Sequence, residues 1–200
     1  MKKNNRDTIL ETARRLFPKY GYNGISIREI AREAGLTTGA IYFHFKNKRD
    51  IYRTICFEAI DLLLKSFREN MKAGETPGRQ LISIFDSYIS FYYEHNDYYN
   101  ILMEYKSAYE SDRETSDNEI ADKFIDILRV SENTIRQGTE QGFYRDINPM
   151  MLSIFLAAVT EGLLQYKKLG LFDVMKLEDR SFRNFMATTV GQGILGQGSF

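Results

Sequence analysis

Between Thr37 and Lys48 the chain reads TTGAIYFHFKNK, and the chemistry available there is donation to anions. Two hydroxyls, a phenol, an imidazole and an ammonium lie within this short run, and each can donate to a phosphate oxygen. Tyr42, Phe43, His44 and Phe45 are consecutive, whereas a helix buried along one face takes its aromatics at i, i+3 and i+4. On a helix, Ile41 and Phe45 share the inward face, which leaves Tyr42, His44 and Lys48 outside. Thr37, Thr38, Gly39 and Ala40 are small, so the backbone there can approach a groove closely. Their hydroxyls and methyl can touch base edges or a thymine methyl. Catalytic chemistry is not expected. His44 and His95 are far apart and lack metal-ligand companions, and the single Cys56 excludes an internal disulfide and a cysteine-based metal cluster. No Gly-rich phosphate loop or nucleophile elbow is present, and no cofactor or metal is called for.

The elements that must position these residues are helices. Ile9, Leu10, Ala13, Leu16 and Phe17 repeat with helical period and leave Arg14 and Arg15 outward. Pro18 should kink or fray the last turn, which Gly21 ends. Ser26 and Glu29 form a capping box that opens a short helix over 27–34, with Ile27, Ile30 and Ala31 inward. Gly35 ends it in a left-handed conformation, and Thr37 caps a second short helix over 38–43. Two short helices joined by a tight glycine turn make a helix-turn-helix. Asn47 then caps a long helix over 48–71, with Ile51, Ile55, Ala59, Leu62, Leu63 and Phe67 as its stripe. The run KAGETPG, 72–78, is the best linker in the chain. Beyond it, 79–94, 98–109 and 119–142 read as helices, with the acidic ESDRETSDNE as a mobile loop. Asn148-Pro149 begins a helix over 149–169, and a last helix covers 178–194 with Phe182, Phe185, Met186 and Val190. No segment alternates with period two. The fold class is all-α, a three-helix head with a helix-turn-helix followed by a C-terminal helical bundle.

Of 200 residues, 43% are hydrophobic, enough for one core or two small ones. No run approaches about 18 uninterrupted apolar residues, so a membrane partner is not expected. The N-terminus lacks an apolar signal core, which makes the cytoplasm the expected location. The formal net charge is zero, yet residues 1–53 hold 12 Lys and Arg against 5 Asp and Glu, and the remainder holds 15 against 22. A basic head on an acidic body suits a head that meets a polyanion.

The run IREIAREAGLTTGAIYFHFKNKRDIY, together with ILETARRLFPKYGY before it, resembles the DNA-binding signature of the TetR (tetracycline-repressor-like) family. The resemblance covers roughly the first quarter of the chain. Beyond it, QGFYRDINPMMLSIFLAAVTEGLL is similar in style to that family's dimer-forming helix. Pro18 departs from the expected pattern at the end of the first helix. The resemblance implies that Thr37, Thr38, Gly39 and Ala40 begin the recognition helix. It implies that Tyr42, His44 and Lys48 contact the DNA backbone, that Ser26 and Arg28 add contacts from the preceding helix, and that Phe43 lies where a base is read. Residues 1–53 are then the DNA-binding domain, 48–71 the connecting helix and 72–200 the ligand-binding and dimerisation domain. A helix-turn-helix reads half-sites in pairs, so a homodimer on a double-stranded operator is expected. Its interface would lie on the last two helices at Phe155, Ala158, Gly162, Phe182 and Phe185. The Tyr-rich 88–109 could line a pocket for a flat ligand, although such a stripe is more often core. Family resemblance favours a pocket for an unknown small-molecule effector, lined by Tyr92, Tyr99, Tyr105, Glu104 and Glu161, the two carboxylates meeting any cationic part. The expected function is a repressor released from its operator by an apolar or aromatic ligand. The competing reading is an all-α enzyme or small-molecule carrier whose basic head is incidental.

Overall fold

The computed structural model describes residues 4–72, 75–111 and 118–178, and beyond them 180–181, 184–185 and 187–189. Among the described residues the regular elements are helices: α1 (Asn5–Tyr20), α2 (Ile27–Glu33), α3 (Thr38–His44), α4 (Lys48–Asn70), α5 (Pro77–Glu94), α6 (Asn96–Ser111), α7 (Asn118–Glu140), α8 (Pro149–Lys168) and α9 (Leu171–Val174). The chain groups into two compact units. One holds Met1–Leu64 with Ile89–Phe124, the other Lys65–Tyr88 with Ile125–Phe200. This grouping follows compactness, and it does not run along the head-and-body division expected at residue 72.

In the first unit α1 packs against α2, α3 and α6. Ile9, Leu10, Ala13, Leu16 and Phe17 are buried as their spacing requires, and so are Ile30, Ala31, Ile41 and Phe45. Most of the α4 stripe is buried too, and Tyr52, Cys56 and Ile60 join it. Arg14 corrects the expectation of an outward side chain: its guanidinium donates to the Tyr98 hydroxyl at 2.5 Å and lies over that ring. Tyr98 in turn donates to Glu58 at 3.2 Å. One arginine of α1 is thereby tied to α6 and α4. Pro18 does not end α1, which runs on to Tyr20; the Gly21 N–H then donates to the Phe17 carbonyl at 2.8 Å. Proline has no N–H to give the Arg14 carbonyl, but with only two helical residues beyond it the loss is confined to one hydrogen bond near the end of α1.

The second unit has a core of Ile135, Tyr144 and Leu152, flanked by Leu81, Phe143, Ile147 and Leu156. Asn148 caps α8 by accepting from the Met151 amide at 2.9 Å, and Pro149 opens it. Ser153 donates to the Leu128 carbonyl at 2.8 Å, and Tyr88 donates to Glu161 at 2.7 Å. By length and composition alone α8 is apolar enough to cross a membrane, although charged and polar residues interrupt it. The short helix α9 was not foreseen; it starts after Gly170 in a left-handed conformation. Of the expected last helix, the described residues from 180 onward are helical. Phe182, Met186 and Val190 lie outside the described residues, as does most of the expected acidic loop.

Candidate nucleic-acid interface

The helix-turn-helix forms for local reasons. The Ser26 hydroxyl accepts from the Glu29 amide at 3.3 Å, and the Glu29 carboxylate accepts from the Ser26 amide at 2.8 Å and from its hydroxyl at 2.7 Å. Two amides that a helix start leaves unpaired are thereby satisfied. Hydrogen bonds from the Ser26 side chain and then its backbone hold the Glu29 carboxyl below its ordinary range. Gly35 follows α2 with φ of +67°, a region that other residues seldom enter. The Thr37 hydroxyl accepts from the Ala40 amide at 3.1 Å and so starts α3.

On α3 the two faces separate. Ile41 and Phe45 are buried. Tyr42 is 59% exposed and Phe43 84%, with the Phe43 ring edge-on to His44 at 5.0 Å. Thr37 and Gly39 are exposed, and Thr38, Ala40 and His44 are half-buried. Ser26 and Arg28 are exposed at the start of α2. Nine of the ten residues singled out for DNA contact therefore present accessible surface along two adjacent short helices, with the Ser26 hydroxyl already engaged in its cap.

Lys48 is the tenth, and its setting differs. Its ammonium donates to the Tyr22 carbonyl at 2.6 Å and the Ile25 carbonyl at 2.9 Å, and lies over the Tyr22 ring at 4.2 Å. Burial pushes its pKa down, while Glu104 and Glu29 oppose that shift. Three donors on one ammonium leave one for an anion. Lys48 also braces the turn that joins α1 to α2. The Tyr22 and Tyr52 hydroxyls nearby are pushed upward in pKa, mainly by burial.

The residues singled out for a ligand are divided between the two units. Tyr99 is 1% exposed and receives the edge of Tyr92 at 4.9 Å between centroids. Tyr105 stacks on Phe124 at 6.1 Å. Glu104 accepts from the Tyr22 amide and from the Tyr52 hydroxyl, at 3.4 Å in the second case. All of these belong to the first unit. Glu161 belongs to the second, where it accepts from Tyr88 and from Gln165 at 2.9 Å. The interface candidates on α8 are accessible: Phe155 is 53% exposed, Ala158 is exposed and Gly162 half-buried. Phe185 is exposed, and Phe182 lies outside the described residues. Sequence reasoning missed Arg14, Tyr22, Tyr52 and Tyr98 as network members. Their partners lie as many as 84 residues away, and no local pattern announces such a pairing.

Residues 9–55 match the model of a family described as bacterial regulatory proteins, tetR family. An uncharacterized HTH-type transcriptional regulator of Bacillus subtilis, YerO, is 30% identical over 100 residues, which is 49% of this chain and 35% of that protein. The chain spans about a third or less of the length of the curated relatives it first matches. A solved bacterial regulatory protein in the tetR family from Rhodococcus RHA1 has a TM-score of 0.77 at 17% identity, covering 98% of this chain and 99% of that one. AibR, solved in complex with isovaleryl coenzyme A and operator DNA, has a TM-score of 0.64 at 23% identity, covering 78% of this chain and 84% of its own. At these identities the two structures show a shared fold.

Proposed function

We propose that this chain is a TetR-family, sequence-specific, double-stranded-DNA-binding repressor: residues 9–55 match that family's model, and an HTH-type regulator is 30% identical over 100 residues. The observation that carries the reading is α3. A seven-residue helix buries Ile41 and presents Tyr42 and Phe43 to solvent, within a head whose cationic residues outnumber its acidic ones 12 to 5. A large aromatic exposed on such a helix is costly in water unless something covers it; a major groove does. Thr37, Thr38, Gly39, Ala40 and Phe43 meet base edges. Tyr42, His44, Arg28, Ser26 and the remaining donor of Lys48 meet phosphates. Residues 1–53 are the DNA-binding domain, 48–71 the connecting helix, and 72–200 carry dimerisation and ligand response.

The protein acts as a homodimer in the cytoplasm. Met151, Phe155, Ala158, Gly162 and Leu169 recur along one side of α8, and the exposed apolar members suit a second copy, since two heads must be held about one helical turn of DNA apart. An apolar or aromatic effector lodges among the α5–α6 aromatics, Tyr92, Tyr99 and Tyr105, and lowers operator affinity without being chemically changed. AibR, with the same fold, was solved with an acyl coenzyme A and operator DNA, which supports a ligand-responsive body. Glu104 accepts from the Tyr22 amide and Glu161 from the Tyr88 hydroxyl, so a cationic part of the effector meets either carboxylate in competition with those bonds.

Selection from a random duplex pool tests the central reading. A single two-fold-symmetric site should emerge, bound typically 10³ or more times tighter than random DNA. Uniform binding to all duplexes, or none, overturns it and returns the enzyme or carrier reading.

A further inference from the structure

Along α6, positions 98, 101 and 104 recur every three residues and so lie on one face. All three bond to α4, and two of them also reach α1 or the turn after it. The Tyr98 hydroxyl accepts from Arg14 of α1 and donates to Glu58 of α4. The Ile101 carbonyl accepts from the Tyr52 hydroxyl of α4 at 2.8 Å. The Glu104 carboxylate accepts from the same hydroxyl and, through Oε1, from the Tyr22 amide. Tyr22 sits in the turn 21–25 that connects α1 to the helix-turn-helix. Gly21 in that turn has φ of +73°, and a side chain there would come within 3.2 Å of Glu104 Oε1. The same turn is gripped by Lys48, through the Tyr22 and Ile25 carbonyls. A cation from α4 thus takes the turn's carbonyls while an anion from α6 takes its amide.

We propose that Glu104 is a positioning residue for DNA recognition: its carboxylate fixes the turn 21–25 and through it the direction in which α2 and α3 leave α1. The inference rests on the DNA-binding reading above and deepens it. It makes α6 the element whose displacement releases the head. Hydrogen bonds lose most of their strength within about 1 Å of stretch, so a small slide of α6 separates Glu104 from Tyr22. The phosphate contacts of each head are untouched by such a release. What is lost is the shared geometry that lets two heads engage one operator.

The test compares wild type, Glu104→Ala and Glu104→Gln on the selected operator and on a random duplex, with melting temperature and amide exchange recorded for each. Glu104→Ala should bind the operator about tenfold more weakly, the loss of a charge-assisted hydrogen bond per protomer. Its affinity for random duplex should change little. Exchange at Tyr22 should quicken while α8 amides keep their protection. Glu104→Gln should recover most of the operator affinity, because its amide oxygen still accepts from Tyr22. A wild type that binds no duplex sinks the DNA-binding reading and this inference with it. A wild type that binds its operator while Glu104→Ala binds it equally well sinks the inference alone, as does an equal loss on both duplexes. Should Glu104→Ala fail to fold, the wild-type exchange decides: protection at Tyr22 supports the proposal, and an unprotected Tyr22 amide overturns it.

Discussion

Phe43 and Tyr42 are neighbours on α3, and the physics of groove contact separates their roles. An aromatic ring against a base edge discriminates between bases, and a phenol on a phosphate does not. Phe43→Ala should therefore relax preference at one base-pair position per half-site, by about 1–3 kcal/mol of discrimination, while random-DNA affinity holds. Tyr42→Phe should weaken both alike. Binding titrations on operators mutated one base pair at a time would expose any exchange of these roles. Lys48→Ala carries two effects at once, because the ammonium also holds two carbonyls of the 21–25 turn. Its loss should lower thermal stability as well as flatten the salt dependence of binding. Glu29 makes a prediction about pH. Its folded carboxyl is held below the ordinary 4.5 by Ser26, so the stabilisation it adds is fully present above that value and disappears as pH falls through the lowered one. Glu29→Gln should be less stable than wild type near neutral pH, and the gap should close as pH falls through the lowered pKa, in parallel denaturant titrations. A gap that persisted in acid would assign the effect to packing.

Helix ends in this chain are set by side chains within four residues, which is why they were legible in advance. The Ser26–Glu29 box, the caps at Thr37 and Asn148 and the left-handed Gly35 stand where the pattern required. Contacts across helices are a different matter. On α7, an added Cβ at Gly138 would lie 2.4 Å from the Tyr144 ring and 3.0 Å from the Pro77 side chain. Nothing in the local sequence marks that glycine as a packing requirement. Gly138→Ala should cost about 1–3 kcal/mol by overpacking, or roughly 2–4 °C of Tm per kcal/mol for a chain of this size. The Tyr144 hydroxyl is buried with no hydrogen-bond partner among the described residues, and burial pushes its pKa up. Tyr144→Phe should accordingly be close to neutral or slightly stabilising, since it removes an unmatched polar atom. A large loss of stability in that variant would show that the hydroxyl has a partner in solution.

At the scale of the whole molecule the predictions concern assembly and response. Placing a charge on α8 with Phe155→Glu should yield monomers in sedimentation at micromolar concentration and abolish operator binding, since two unlinked heads forfeit their effective concentration. A variant that stayed dimeric would move the interface away from α8. For an effector found by thermal-shift screening, saturation should weaken operator binding roughly 5- to 150-fold. By reciprocity, the operator should weaken effector binding by the same factor. A ligand that raised Tm and left operator affinity unchanged would occupy a site uncoupled to the head.

Helices α1 to α8, most of their ends, the two faces of α3 and the basic head are legible in the chain alone, because each rests on interactions within about a turn or on residue type. The 26 residues from Ile27 to Tyr52 could be read almost side chain by side chain for this reason. Only the tertiary structure decided that Arg14 turns inward to Tyr98, that Lys48 braces a turn, and that Glu104 bonds to the head and Glu161 to Tyr88. A buried charge must find partners wherever the packed helices bring them, and those partners lie 23 to 84 residues away in the chain. A carboxylate on a Tyr-rich helix looks like a ligand's counter-charge until the chain folds and supplies it with an amide of its own.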